Sequence, residues 1–204
     1  MKLFVAVLRL AISATVVSAI VATFVDTASR ATINPFNFFG FFTMQGNIIT
    51  VVVLVLAAFA TLAGRRQSEG LQLARGCATT YIAVVGIVYN LLLAGLEGGV
   101  SLAWANSVLH VVFPIYAVLD WVLFGDRAAL PWRRIWLVLI YPFVWLVVVI
   151  VRGATDGWVP YPFLDPAQPG GYGTVALFGV GIAVSIGLVA VGTWAISRVR
   201  IVAV

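Results

Sequence analysis

The stretch Ala105–Phe124, ANSVLHVVFPIYAVLDWVLF, holds, besides the phenol of Tyr116, two ionisable side chains, His110 and Asp120. At about 1.5 Å of rise per residue, its helical length matches the hydrocarbon thickness of a bilayer. Its apolar residues run on without alternating, which argues for a helix and against a strand. A titratable group is expensive at that depth, so His110, the one histidine of the chain, is a candidate functional residue.

Working outward, five further runs have the same character. The six predicted spans are Leu3–Phe24, Asn37–Ala63, Gly76–Leu96, Ala105–Phe124, Ile135–Val151 and Thr174–Ile196. The chain is 63% hydrophobic and 9% charged, with a mean hydropathy of +1.11. A soluble domain, apolar in about half its residues, is thereby excluded. The fold class predicted is all-α: a polytopic integral membrane protein, a single bundle of six transmembrane helices over residues 1–204. The first run is read as a retained span and not a cleaved signal peptide, because it continues to Phe24 and Arg9 interrupts any h-region. One cysteine, Cys77, excludes an intrachain disulfide and a thiolate cluster.

The net charge of +5 belongs to short loops and reads as topology, not as a nucleic-acid surface. Lys2, Arg65, Arg66, Arg75, Arg127, Arg133, Arg134, Arg198 and Arg200 fall on one side, with Arg9 just inside the first span. The opposite side holds Arg30 and Arg152 with Asp26, Glu97, Asp156 and Asp165. The positive-inside rule then puts both termini in the cytoplasm, in the cell (plasma) membrane.

Thr43, Asn90 and His110 fall at one level, roughly 8–9 Å below the outer boundary on the predicted spans. Asn47 follows Thr43 by four residues and Asn106 precedes His110 by four, so each pair shares a helix face. Pro114 removes the N–H that would bond the carbonyl of His110, which frees that carbonyl and kinks the helix. The chemistry this permits is acyl transfer: a threonine hydroxyl attacks an ester while neutral imidazole takes its proton. Candidate oxyanion donors or substrate contacts are Gln45, Asn47, Asn90, Asn106, Trp158, Tyr161 and Asp165. Asp165, Glu97, an amide or a carbonyl are open alternatives for orienting the imidazole. No metal and no cofactor is called for.

Plainer readings stand beside these. A transmembrane threonine ordinarily bonds the carbonyl one turn back, and a histidine among asparagines can be interhelical glue. Arg9 and Asp120 read as a structural ion pair, Gly181 and Ser185 as close helix packing, and Pro142 as a kink.

Phe41-Phe42-Thr43, Asn106-x-x-x-His110 and Trp158-Val159-Pro160-Tyr161-Pro162-Phe163-Leu164-Asp165 occur in that order. Together they resemble the androgen-induced membrane protein family of six-span proteins, in a bacterial-type form. Ser107 stands where the family often has a further histidine, and Pro160 is an insertion in its aromatic motif. The resemblance implies a threonine hydrolase of fatty acid esters of hydroxy fatty acids, with Thr43 as nucleophile and His110 as base. The substrate expected is a membrane lipid or acyl ester. The alternative is a non-enzymatic lipid- or small-molecule-binding bundle, or a transporter.

Overall fold

The computed structural model describes residues 1–95 and 102–202. Six of its helices are long and apolar enough to cross a membrane: α1 (Lys2–Arg30), α3 (Phe42–Leu62), α4 (Glu69–Leu93), α5 (Ala103–Leu123), α6 (Trp132–Thr155) and α7 (Gly171–Ile196). A short helix, α2 (Pro35–Gly40), precedes α3. No strand occurs among the described residues; Phe124 and Val202 form one isolated bridge. This is the architecture of a multi-pass membrane protein.

The structure lengthens several predicted spans and divides one. The run expected as a single helix over Asn37–Ala63 breaks at Phe41, whose φ of −61° and ψ of 134° are extended. The break coincides with a long-range contact: Gly40 lies against Trp158, where an added Cβ would meet the indole at 2.5 Å. The third helix begins at Glu69 and not near Gly76, because Ser68 caps it by accepting from the amide of Leu71.

α4 is the central helix, packing against α3, α5 and α7. One core joins Val16 and Ile20 of α1, Leu54 of α3, Ile82 and Val85 of α4, and Leu109 and Phe113 of α5. A second joins Tyr81 of α4, Trp121 of α5, Val138 of α6, and Ile186 and Trp194 of α7. α6 and α7 turn much of their surface outward, with Phe143, Leu177 and Leu188 exposed, as lipid-facing helices do. Gly181 is exposed with open space around it, and Ser185 bonds only the carbonyl of Gly181. The close packing expected at that pair is therefore not made within this chain; the small residues lie on the outward face.

The end of the bundle that carries both termini is closed by buried charge. Arg9 Nε donates to Asp120 at 2.7 Å and its Nη1 to Asp126 at 2.6 Å. Arg75 donates to Asp120 at 2.8 Å, to Asp126 at 3.0 Å and to Gln67 at 2.8 Å. The indole of Trp121 lies under both Arg75 and Arg127, 5.6 and 4.4 Å from ring centre to guanidinium. The expected pair of Arg9 with Asp120 is thus half of a four-charge clasp. Arg75, read as an orientation signal, is buried inside it.

Candidate active site

Thr43 is the second residue of α3, so no helical turn precedes it. That position decides what its hydroxyl does. Thr23, Thr50, Thr61, Thr80 and Thr193 each donate to the carbonyl four residues back. Thr43 does not. Its Oγ1 lies 3.4 Å from the phenol oxygen of Tyr161, and its backbone N–H donates to that same oxygen at 3.2 Å. The plain reading of a back-bonded threonine fails here because the helix starts too late to offer a carbonyl.

His110 sits in an irregular turn. Residues Val108–Val112 of α5 are π-helical, and so are Tyr89–Leu93, the last turn of α4. Pro114 supplies the reason in α5: with no N–H at that position, Phe113 reaches back to the carbonyl of Val108. The freed carbonyl of His110 is taken by Asn90 Nδ2 at 3.3 Å, which also donates to Gly86 at 2.8 Å. Gly86 makes this crossing possible, since a Cβ there would meet Pro114 at 2.9 Å.

The imidazole is fixed on two sides. Its Nδ1 lies 3.1 Å from the carbonyl of Asn106, an acceptor only, so Nδ1 carries the proton and Nε2 presents its lone pair. The ring of Tyr89 stacks on it, with centroids 3.8 Å apart. Asn106 Nδ2 in turn donates to the Tyr89 hydroxyl. Asn47 ties the two halves together by donating to the carbonyls of Thr43 at 2.8 Å and Leu109 at 3.3 Å. No hydrogen bond joins Thr43 to His110 among the described residues.

Thr43 opens on a cavity of about 240 Å³ between α3, α4, α6 and α7. Its lining side chains are apolar except for Thr43, Tyr89, Tyr161 and Trp145, whose indole N–H is taken by the carbonyl of Gly40. Pro142 and Phe143 line it from α6 and Gly179 and Ile182 from α7; Phe143 is also exposed on the outer surface. The cavity therefore reaches the outer side of the bundle at α6. His110 does not line it; Tyr89, stacked on the imidazole, does. A shallower hollow with Gln45, Arg152 and Trp158 in its wall lies on the other side of Trp145.

The remaining sequence candidates separate. Asn47, Asn90, Asn106 and Tyr161 gather around Thr43 and His110. Gln45 points away, accepting from the Tyr141 hydroxyl at 2.7 Å and donating to the carbonyl of Phe39 at 3.0 Å. Trp158 covers Gly40 and packs edge-on against Phe41, with Arg152 4.3 Å from its ring centre. Asp165 does not orient the imidazole: its carboxylate accepts from the amide of Ala167 at 2.8 Å and turns the loop. Glu97 lies outside the described residues. Tyr89 was not anticipated, although it adjoins Asn90 at the level already marked by Thr43 and His110.

Fold and site together define a class: a multi-pass helical membrane protein with a buried threonine at the wall of an apolar cavity. Compared with family models, curated proteins and solved structures, the chain matches none.

Proposed function

We propose that this protein is an intramembrane lipid ester hydrolase that uses Thr43 as nucleophile and His110 as general base. The observation that carries the reading is the Thr43 hydroxyl, spared from the back-bond its counterparts make and set beside the Tyr161 phenol at the wall of the apolar cavity. Thr43 Oγ1 attacks the ester carbonyl while His110 Nε2 takes its proton, and the carbonyl electron pair moves onto oxygen. Collapse expels the alcohol, which leaves with the proton from His110. Water then cleaves the acyl-threonine by the same base, releasing the acid and restoring Thr43. Catalytic hydrogen bonds commonly tighten only when substrate is bound, so the unmade bond between Thr43 and His110 is compatible with these roles.

The substrate is an acyl ester that enters sideways between α6 and α7. Fatty acid esters of hydroxy fatty acids are the candidates suggested by the resemblance to the androgen-induced membrane protein family. The charge asymmetry of the loops supports an outer-leaflet site in the cell membrane, with both termini cytoplasmic. A second reading, lipid binding without cleavage, draws on two facts: hydroxyl and imidazole are not bonded, and Tyr89 lines the cavity where His110 does not.

Labelling separates the two. Purified protein in detergent is treated with a long-chain fluorophosphonate, the labelled residue is mapped by mass spectrometry, and p-nitrophenyl decanoate cleavage is followed. The expected result is label on Thr43, with label and cleavage both lost in Thr43→Ala and His110→Ala. Cleavage that survives Thr43→Ala removes the assigned nucleophile. A wild-type protein that neither labels nor cleaves leaves the lipid-binding reading.

A further inference from the structure

Acyl transfer through Thr43 needs a donor for the oxyanion, and the amides nearest the site are already committed. Asn47 Nδ2 donates to two carbonyls, those of Thr43 and Leu109. Asn90 Nδ2 donates to those of Gly86 and His110. Asn106 Nδ2 is held by the Tyr89 hydroxyl, and Gln45 faces the far side of Trp145. Tyr161 remains. Resting on the hydrolase reading, we infer that the Tyr161 hydroxyl is the oxyanion donor of this site, acting together with the backbone amide of Thr43.

Three features support this. Tyr161 lines the cavity beside Thr43, so its hydroxyl is within reach of a bound ester. Its oxygen lies 3.4 Å from the nucleophilic oxygen. The oxyanion of a tetrahedral intermediate is bonded to the same carbon as that nucleophilic oxygen, and its donors stand about 2.7–3.1 Å away. A hydroxyl placed as Tyr161 is meets both conditions after a small shift of the substrate. The ring is also held firmly: it packs edge-on against Phe41 at 5.6 Å, against Trp145 at 6.0 Å and parallel to Phe163 at 5.2 Å. Such a donor is preorganised and needs little rearrangement during reaction. Burial keeps its phenol above the usual tyrosine range, so the proton to be donated is present at neutral pH. As the ester binds, its carbonyl oxygen takes the Thr43 N–H that now rests on the phenol oxygen, and the phenol O–H turns to the same atom.

The test compares wild type, Thr43→Ala and Tyr161→Phe on p-nitrophenyl decanoate in detergent micelles. Phenylalanine keeps the ring contacts and removes only the hydroxyl. The inference expects kcat to fall about a hundredfold in Tyr161→Phe with KM unchanged. Replacing Tyr161 by 3,5-difluorotyrosine, a more acidic phenol, moves the alkaline limb of the kcat–pH profile downward; a packing role leaves that limb in place. If Tyr161→Phe turns over at the wild-type rate while Thr43→Ala is inactive, Tyr161 is not the donor and the hydrolase reading stands. If wild type does not turn over at all, the hydrolase reading fails and takes this inference with it.

Discussion

The two ends of the bundle solve opposite problems. At the end with the termini, four charges from α1, α4, α5 and the segment after α5 are buried together, and Gln67 fills the remaining gap. At the other end, two helices meet through π-helical turns, and Asn47 Oδ1 and Asn106 Oδ1 are buried without partners. The clasp also has a spare atom, Arg127 Nε, but its helical members Arg9, Arg75 and Asp120 lie in regular α-helix. The lesson is a division of labour. The first end uses strong paired charges to hold helices together, and the second leaves polar groups and backbone unsettled, with the π-helical turn of α4 lining the cavity through Tyr89 and Leu93. Irregular backbone at membrane depth is tolerated where it lines such a space.

The largest effect should come from breaking the clasp at its centre. Asp120 accepts from both Arg9 and Arg75, so Asp120→Ala takes one carboxylate from two buried guanidiniums at once and leaves Asp126 alone to balance both. Removing one partner of a buried pair costs about 3–5 kcal/mol, and here the loss falls on two. The expected outcome is a sharply lower unfolding temperature in detergent, or failure to accumulate in the membrane. Thr43→Ala at the opposite end should abolish turnover and leave the unfolding temperature within the wild-type range. If both variants lose stability equally, the contrast between the ends is wrong.

That contrast was partly legible in the sequence. Spans follow from hydropathy because lipid imposes one requirement on every residue of a run. Thr43, His110, Asn47, Asn90 and Asn106 were found because polar residues at helical spacing in an apolar run are few. What escaped notice depends on where the chain bends. Nothing in Phe39-Gly40-Phe41 declares that Trp158, over a hundred positions later, will sit on Gly40 where the helix breaks. Without that break, Thr43 has a turn before it and an ordinary back-bond. The burial of Arg75 escaped for a related reason: positive-inside counting assigns a basic residue to a side and treats it as solvated. Its burial depends on Asp126, which lies in a loop and pairs with it only in three dimensions. Pro114, in contrast, acts within its own helix, and its freed carbonyl was predictable.

A smaller effect tests the clasp from its solvent side. Burial works to raise the Asp126 carboxyl, but Arg75 and Arg9 outweigh it and hold it at about 2. A carboxyl depressed on folding stabilises the folded state fully above its unfolded value, near 3.9. That contribution is lost as pH falls through the folded value. Asp126→Asn should therefore cost about 2 kcal/mol at neutral pH. The gap between variant and wild type should close as the pH drops from about 4 to about 2. A gap that does not change over that range would place the stabilisation in packing and not in charge.

The smallest change in stability should accompany a large change in function, and it belongs at the site. Gly86 allows α4 to approach Pro114, where an alanine Cβ would stand 2.9 Å from the ring and 3.4 Å from the carbonyl of His110. Alanine favours the helix over glycine by about 1 kcal/mol, while overpacking costs about 1–3 kcal/mol. The two largely offset, so Gly86→Ala should lower stability by about 1 kcal/mol. The strain, however, has to go somewhere, and the proline ring is too stiff to absorb it. It passes to the π-helical turn carrying His110 and to the Asn90 bond on the His110 carbonyl. Esterase turnover in Gly86→Ala should fall well beyond what the unfolding temperature suggests, whereas a substitution of similar cost near the clasp should lower stability and spare turnover. Equal and proportionate losses at both ends would mean that the irregular turns are packing defects, and that the position of His110 matters no more than that of any other buried side chain.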